Sequence, residues 1–155
     1  MSDLSEGAIQ ERLKEAMRAR ATDRVLVLRG LVAAIKNLKI ERRGAGAGDE
    51  LAEADIAQIV RREIKQREEA LTFAEQAGRT DLVEKNRGEK GFLERFLPQG
   101  PSAADLAAAI ARHHAAGATS IGALMAKLKA DFGAGLDGKV ASEAVRGFLR
   151  DKGGA

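Results

Sequence analysis

The apolar residues of this chain recur with the period of an α-helix from one end to the other. In one segment Val25, Leu28, Val32 and Ile35 follow at spacings of three, four and three residues, which places them on one helix face. No stretch alternates strictly between apolar and polar residues, and the residues favoured in strands are sparse. The sequence therefore predicts an all-α fold, with this second helix packed at the centre of the first group of helices.

A proline-containing connection divides the predicted helices into two groups. Both prolines of the chain lie in PQGP (Pro98 to Pro101), and the residue before a proline avoids helical geometry. We predict an N-terminal bundle of about four helices in residues 1–97 and a small C-terminal domain of three short helices in residues 102–155. The second group has few large apolar side chains, so we expect its core to be marginal.

Short polar residues mark the predicted helix starts, because their side chains accept hydrogen bonds from the free N–H groups of the first turn. The expected N-caps are Asp3 or Ser5, Thr22, Ser102 (with Asp105 as its capping-box partner), Ser120 and Asp137. The helical period also predicts the residues that face the core. These include Met17, Leu82, Ile121 and Val140.

The residue inventory excludes several kinds of chemistry. The chain has no cysteine, which removes disulfides, thiolate metal sites and cysteine nucleophiles. Its only histidines, His113 and His114, are adjacent and point about 100° apart on a helix, so they cannot chelate one ion together. The glycine-rich stretch at residues 44–48 lacks the lysine and hydroxyl residue of a phosphate loop. We therefore expect no catalytic residues, no metal and no cofactor.

Nothing in the sequence predicts a membrane segment or a secretory signal. The apolar stretches are shorter than the roughly 20 residues that a spanning helix needs. The amino end has no basic segment followed by an apolar run. We expect a cytoplasmic protein without a membrane partner.

The net charge of +3 is mild, but it is unevenly distributed. Residues 1–43 carry +4, residues 44–97 carry −3 and residues 98–155 carry +2. Salt-bridged helix surfaces explain the acidic middle. Arg29 adjoins the apolar stripe at Leu28, so we expect it to be partly buried against a carboxylate of the third or fourth helix. A surface for an anionic partner is the alternative.

Basic side chains outnumber acidic ones on the last two predicted helices. Such a patch can neutralise phosphates without reading sequence, although a merely solvated helix surface has the same composition. Phe132 and Phe148 are expected in the core, and the chain has no Trp or Tyr, so stacking on single-stranded bases is not expected. A folded RNA that presents its backbone is the nucleic acid that suits this surface. The basic residues are Lys127, Lys129, Lys139, Arg146, Arg150 and Lys152.

Four segments of the chain follow a known pattern in order. They are RVLVLRGLVAAIKNLKIERR (24–43), REIKQREEAL (62–71), AGRTDLVEKNRGEKGFLERFLP (77–98) and ALMAKLKADFGAGLDGKVASEAVRGFL (123–149). These segments resemble the GatB/YqeY family, and the Asp-Gly-Lys turn at Asp137–Lys139 is similar to the family's C-terminal segment. The chain departs from the family pattern at Gly88 and Gly91, in a helix usually richer in Glu and Leu, and at PQGP.

The resemblance implies an N-terminal helical bundle followed by a three-helix domain, as the periodicity does. It also implies kinship with the tail of the B subunit of the glutamine-dependent aminoacyl-tRNA amidotransferase. That tail helps to hold the tRNA, while amide transfer takes place in other domains and subunits. On this resemblance, tRNA or another structured RNA is the expected partner, beside an amidotransferase or an aminoacyl-tRNA synthetase. The RNA-binding residues that it implies are Lys127, Lys129, Lys139, Arg146 and Arg150.

Two other functions stay open at this point. The chain is also compatible with a protein-interaction adaptor whose charged third helix docks a partner. A third and weaker alternative is an accessory component of an amidotransferase, to which a family label of carbon–nitrogen ligase with glutamine as amido donor would apply. The sequence has no glutaminase nucleophile arrangement and no ATP loop, so we expect no intrinsic enzymatic activity.

Overall fold

The computed structural model describes residues 2–153, and helices account for most of that range. It contains seven α-helices and one short 3-10 helix, and none of the described residues lies in a strand. The predicted all-α fold is therefore confirmed. The helices are α1 (Glu6–Arg18), α2 (Thr22–Gly44), α3 (Glu53–Gln76), α4 (Thr80–Glu94), α5 (Ala103–Ala115), α6 (Ile121–Phe132) and α7 (Gly138–Gly153), with the 3-10 helix at Gly133–Gly135.

The helices cluster into two compact units, and each is described by itself. Met1–Leu97 forms the N-terminal unit, which contains α1 to α4, and Pro98–Ala155 forms the C-terminal unit, which contains α5 to α7. Within residues 2–153, no helix combines the length and the apolar character needed to cross a membrane.

Helix α2 lies at the centre of the N-terminal unit, because it contacts α1, α3 and α4. Its side chains Leu28, Leu31 and Ile35 are almost completely buried. Helices α1 and α2 form one hairpin and α3 and α4 form another. The predicted central position of the second helix is therefore confirmed. Buried partners on the other three helices are Ile9, Ile56, Val60, Ile64 and Leu93.

Ion pairs connect α3 to α4 within their hairpin. The Nε of Arg67 donates to a carboxylate oxygen of Glu89 on α4 at 3.0 Å, and its Nη1 binds Glu63 one turn earlier on α3. These three side chains are only 13 to 18% exposed. Lys90 of α4 also reaches Glu68 of α3 at 3.2 Å. Several charged side chains of α3 are therefore paired within the N-terminal unit.

The prediction that Arg29 is buried and paired is wrong. Arg29 is exposed, and it forms no ion pair with any residue in the described range. Because neighbouring helical residues point about 100° apart, Leu28 can face the core while Arg29 faces solvent. The arginine that does lie between carboxylates is Arg67, whose position depends on how α3 packs against α4.

Four residues predicted to face the core are exposed instead. Met17 is 50% exposed, Leu82 is 37% exposed, Ile121 is 43% exposed and Val140 is 55% exposed. Each lies in the first or last turn of its helix, where fewer neighbouring residues cover a side chain. The helical period alone does not report how fully the packing covers a terminal turn.

Most of the predicted N-caps are confirmed. The hydroxyls of Ser5, Ser102 and Ser120 each accept a hydrogen bond from the backbone N–H three residues later, at 3.1 Å. Asp105 accepts in return from the backbone N–H of Ser102, which completes the capping box. The prediction for Thr22 is wrong, because it is the first residue of α2 and the N-cap before it makes no side-chain hydrogen bond.

The C-terminal unit is a three-helix arrangement in which each helix contacts the other two. A side chain at Gly100 would place its Cβ 2.4 Å from the carbonyl oxygen of Gly135, so only glycine fits where PQGP passes the 3-10 helix. Phe132 and Phe148 pack against the core, as predicted. The core is small, and its buried residues are Leu106, Ala109, Ile110, Leu124, Leu128, Leu136, Ala141 and Val145.

Candidate nucleic-acid interface

The basic side chains predicted to bind RNA lie on α6 and α7 of the C-terminal unit. All five are exposed, and none forms an ion pair with the residues that the structure describes. They are therefore free to meet an external anion. Lys127 and Lys129 belong to α6, and Lys139, Arg146 and Arg150 belong to α7.

Three of these cations share the outer face of α7. Ala141 and Val145 are fully buried and define the side of α7 that faces the core. At 100° per residue, Lys139, Arg146 and Arg150 all fall on the opposite side of the helix. We call these three residues the α7 basic face. Their Cα atoms span about 16 Å along the helix axis at 1.5 Å per residue.

The two lysines of α6 do not form one surface with each other. Lys127 and Lys129 flank Leu128, which is fully buried, and their side chains point about 200° apart around the helix. They lie on opposite flanks of α6. The structure thus groups three of the five predicted residues and separates the other two.

Three of the five carboxylates of the C-terminal unit are held by hydrogen bonds. Asp105 belongs to the capping box of α5, and Asp137 accepts from two backbone N–H groups in the first turn of α7, at 2.9 and 3.2 Å. Asp131 binds two side chains of α5. Only Glu143 and Asp151 have no partner among the described residues, and Glu143 lies on the outer side of α7 between two of its cations. The free side-chain charge of the unit is therefore predominantly positive.

Asp131 links α6 to α5 through a single carboxylate oxygen. Its Oδ2 lies 2.6 Å from Nε2 of His113 and 3.2 Å from Nη2 of Arg112. The hydrogen bond with His113 is the main reason why the pKa of Asp131 lies below its ordinary value of 3.8. His114 instead places its ring edge-on to Phe148, with centroids 5.1 Å apart. The adjacent histidines thus have separate structural contacts.

We expect acid to weaken the C-terminal unit through Asp131. A carboxyl whose pKa is lowered by folding contributes stability above its unfolded pKa, and this contribution is lost as the pH falls through the folded pKa. Between about pH 6 and about pH 3, the thermal midpoint of Asp131→Asn should therefore fall less than that of the wild type. Far-UV circular dichroism measures this, since the chain has no Trp or Tyr for fluorescence.

Glu143→Gln is the matched control for this experiment, because Glu143 is exposed and has no partner in the described range. Its pH profile should follow that of the wild type. An Asp131→Asn profile parallel to the wild type would show that the link to His113 carries no pH-dependent stability.

Sequence reasoning missed the role of Asp131. The residue appears in the sequence as one more acid near a helix end, and its partners lie 18 and 19 residues away on another helix. Only the register of α6 against α5 reveals the contact. By contrast, the cap at Asp137 was visible in the sequence, because it is local.

Comparison with known proteins places the whole helical region within one family. A family model described as Yqey-like protein matches residues 6–149. The matched range begins with the first residue of α1 and ends within α7, so it covers both units. No curated protein matches the chain.

Proposed function

Because the chain belongs to the YqeY-like protein family, we propose that it is a non-catalytic cytoplasmic module that binds tRNA or another structured RNA through its C-terminal unit. The observation that carries this proposal is the α7 basic face. Its three cations lie on one side of a single helix and have no carboxylate partner in the described range. Such cations neutralise phosphates and release counterions, which drives binding without sequence recognition.

The composition of the C-terminal unit favours a folded RNA over an unpaired strand. Proteins that bind single strands usually stack bases on exposed aromatic rings. Phe132 and Phe148 pack against the core instead, and the chain contains no Trp or Tyr. Contacts to phosphates remain, and a folded RNA presents several of them on one surface. Because Lys127 and Lys129 lie on opposite flanks of α6, at most one of them shares a surface with the α7 basic face.

The resemblance to the tail of the amidotransferase B subunit supports tRNA as the particular RNA. On this proposal the chain holds RNA, and any amide transfer takes place in an associated enzyme. The adaptor alternative gains less support, because ion pairs between α3 and α4 occupy much of the charged surface that a docking partner would use.

Reversing charge on the α7 basic face is expected to weaken tRNA binding. We expect Lys139→Glu combined with Arg146→Glu to lower the affinity for bulk tRNA at low salt by about tenfold or more, since two phosphate contacts are replaced by repulsion. Filter binding with the full chain measures this. Helix content should be unchanged, because both residues are exposed.

The matched control combines Arg29→Glu with Lys36→Glu. These residues are exposed on α2 and have no ion-pair partner among the described residues, so the change in net charge is the same. The control should bind tRNA nearly as tightly as the wild type. An equal loss in both variants would indicate non-specific attraction, and no tRNA binding by the wild type would contradict the proposal outright.

A further inference from the structure

A groove of about 450 Å³ lies between the first turns of α2 and the second half of α4 in the N-terminal unit. Val27 and Phe92 provide its apolar lining, and Gly88 and Gly91 form part of the wall on α4. We call this space the α2–α4 groove. Its volume falls within the range of small-molecule sites in proteins.

Two glycines keep the α4 wall of this groove open. Glycine inside a helix is less favourable than alanine, so its presence in the middle of α4 calls for a physical reason. A Cβ added at Gly88 or Gly91 would meet no atom within 4 Å. Packing inside the described unit therefore does not require either glycine. Both glycines line the groove, so a larger side chain at either position would narrow it.

Arg24 lies over the ring of Phe92 at this groove. The guanidinium carbon of Arg24 lies 5.6 Å from the centroid of the Phe92 ring. Phe92 is itself supported edge-on by Phe96 at 5.5 Å, and Arg12 lies 4.9 Å above Phe96. Guanidinium planes and aromatic rings are the surfaces on which proteins stack nucleobases. In the N-terminal unit both kinds of surface meet at one groove.

The charges around the groove are mixed, which restricts its ligand. Three exposed cations of the lining, Arg24, Lys85 and Arg95, have no carboxylate partner in the described range, and Asp23 and Glu84 likewise have no cationic partner there. A simple anion would leave these two carboxylates unpaired. A nucleotide can bind both the cations and the carboxylates of the groove. Its phosphates bind arginine, while its ribose hydroxyls and base amino groups donate hydrogen bonds to carboxylates.

We propose that the α2–α4 groove binds a nucleotide, with the base against Arg24 and Phe92 and the phosphates toward Arg95. The nucleotide can be a free mononucleotide or one residue of an RNA strand, since both present the same chemistry. This site is independent of the α7 basic face, and its residues all belong to the N-terminal unit.

The test uses ATP carrying a fluorescent ribose-linked label, titrated into the full chain. The absence of Trp and Tyr leaves little intrinsic protein fluorescence to interfere. Arg24→Ala should weaken binding at least about tenfold, as expected for a lost charge-assisted contact. Gly91→Leu should abolish binding by filling the groove while raising the thermal midpoint, because leucine favours the helix. Loss of binding in a more stable protein cannot be ascribed to unfolding.

Arg29→Ala is the control, because Arg29 is exposed on α2 and does not line the groove. It should bind the labelled nucleotide as the wild type does. A parallel titration uses a short single-stranded oligoribonucleotide. Binding of ATP that depends on Arg24 and Gly91 supports a free nucleotide, and binding of the oligoribonucleotide alone with the same dependence supports a nucleotide within RNA.

Three outcomes would overturn the nucleotide site. These are no binding of either probe, unchanged binding by Gly91→Leu, or equal weakening by Arg29→Ala. The variant with both Lys139→Glu and Arg146→Glu should still bind the labelled nucleotide. Failure at the groove would therefore leave the tRNA proposal untouched, and failure of tRNA binding would leave the groove untouched.

Discussion

Leu128→Ala is expected to unfold most of the C-terminal unit and to abolish tRNA binding with it. Leu128 is fully buried in α6, in a small core with eight buried apolar residues among those that the structure describes. Leucine-to-alanine changes in cores cost about 3–5 kcal/mol. A unit of this size has a total stability of about 3–8 kcal/mol, so the loss consumes most of it.

Urea unfolding followed by circular dichroism and hydrogen exchange measures this effect. Protection should be lost in α5 to α7 and retained in α1 to α4, since each unit has its own core. Ile121→Ala is the matched control on the same helix, because Ile121 is 43% exposed and should cost less than about 1 kcal/mol. Full stability of Leu128→Ala, or simultaneous loss of protection in α1 to α4, would contradict the description of two independent cores.

Arg67→Ala is expected to cost the N-terminal unit about 3 kcal/mol. Arg67 is the shared partner of Glu63 and Glu89, and all three side chains are largely buried. Its removal leaves two carboxylates close together with little water to solvate them. Removing one partner of a buried ion pair lowers the free energy of unfolding by far more than the intact pair contributes, because the remaining charge is buried without a partner. The free energy of unfolding in urea is the quantity to compare.

Arg62→Ala controls for the loss of a positive charge on α3. Arg62 is exposed and has no ion pair among the described residues, so its removal should change stability by less than about 0.5 kcal/mol. Combining Arg67→Met with Glu63→Gln and Glu89→Gln should restore most of the loss, because no uncompensated charge remains. If Arg67→Ala were as stable as Arg62→Ala, the ion pairs of Arg67 with Glu63 and Glu89 would not stabilise the packing of α3 against α4.

Local features of the fold were predictable from the sequence, and features that depend on packing were not. The caps at Ser102 and Ser120 require only neighbouring residues, and the apolar stripe of α2 requires only the helical period. The burial of Arg67 depends on which face α3 turns toward α4, which no single helix encodes. The exposure of Met17 likewise depends on the packing around the last turn of α1, which the helical period does not report.

The candidate site was predictable as a set of residue types but not as a surface. The sequence identified an excess of cations on the last two helices, and the helical period groups Lys139, Arg146 and Arg150. The sequence could not show that Asp131 binds His113 and Arg112 of α5, so that its carboxylate does not compete for the basic side chains. The α2–α4 groove went unpredicted, because Arg24 and Phe92 lie 68 positions apart and meet only through packing.

The salt dependence of tRNA affinity tests the RNA-binding proposal most directly. Each phosphate neutralised contributes about −0.7 to −0.9 to the slope of log affinity against log salt concentration. The three cations of the α7 basic face predict a wild-type slope of about −2 to −3. Lys139→Glu with Arg146→Glu should reduce its magnitude by about 2, while Arg29→Glu with Lys36→Glu should leave it unchanged. A wild-type slope near zero, or the same slope in the α7 variant, would contradict RNA binding through this face.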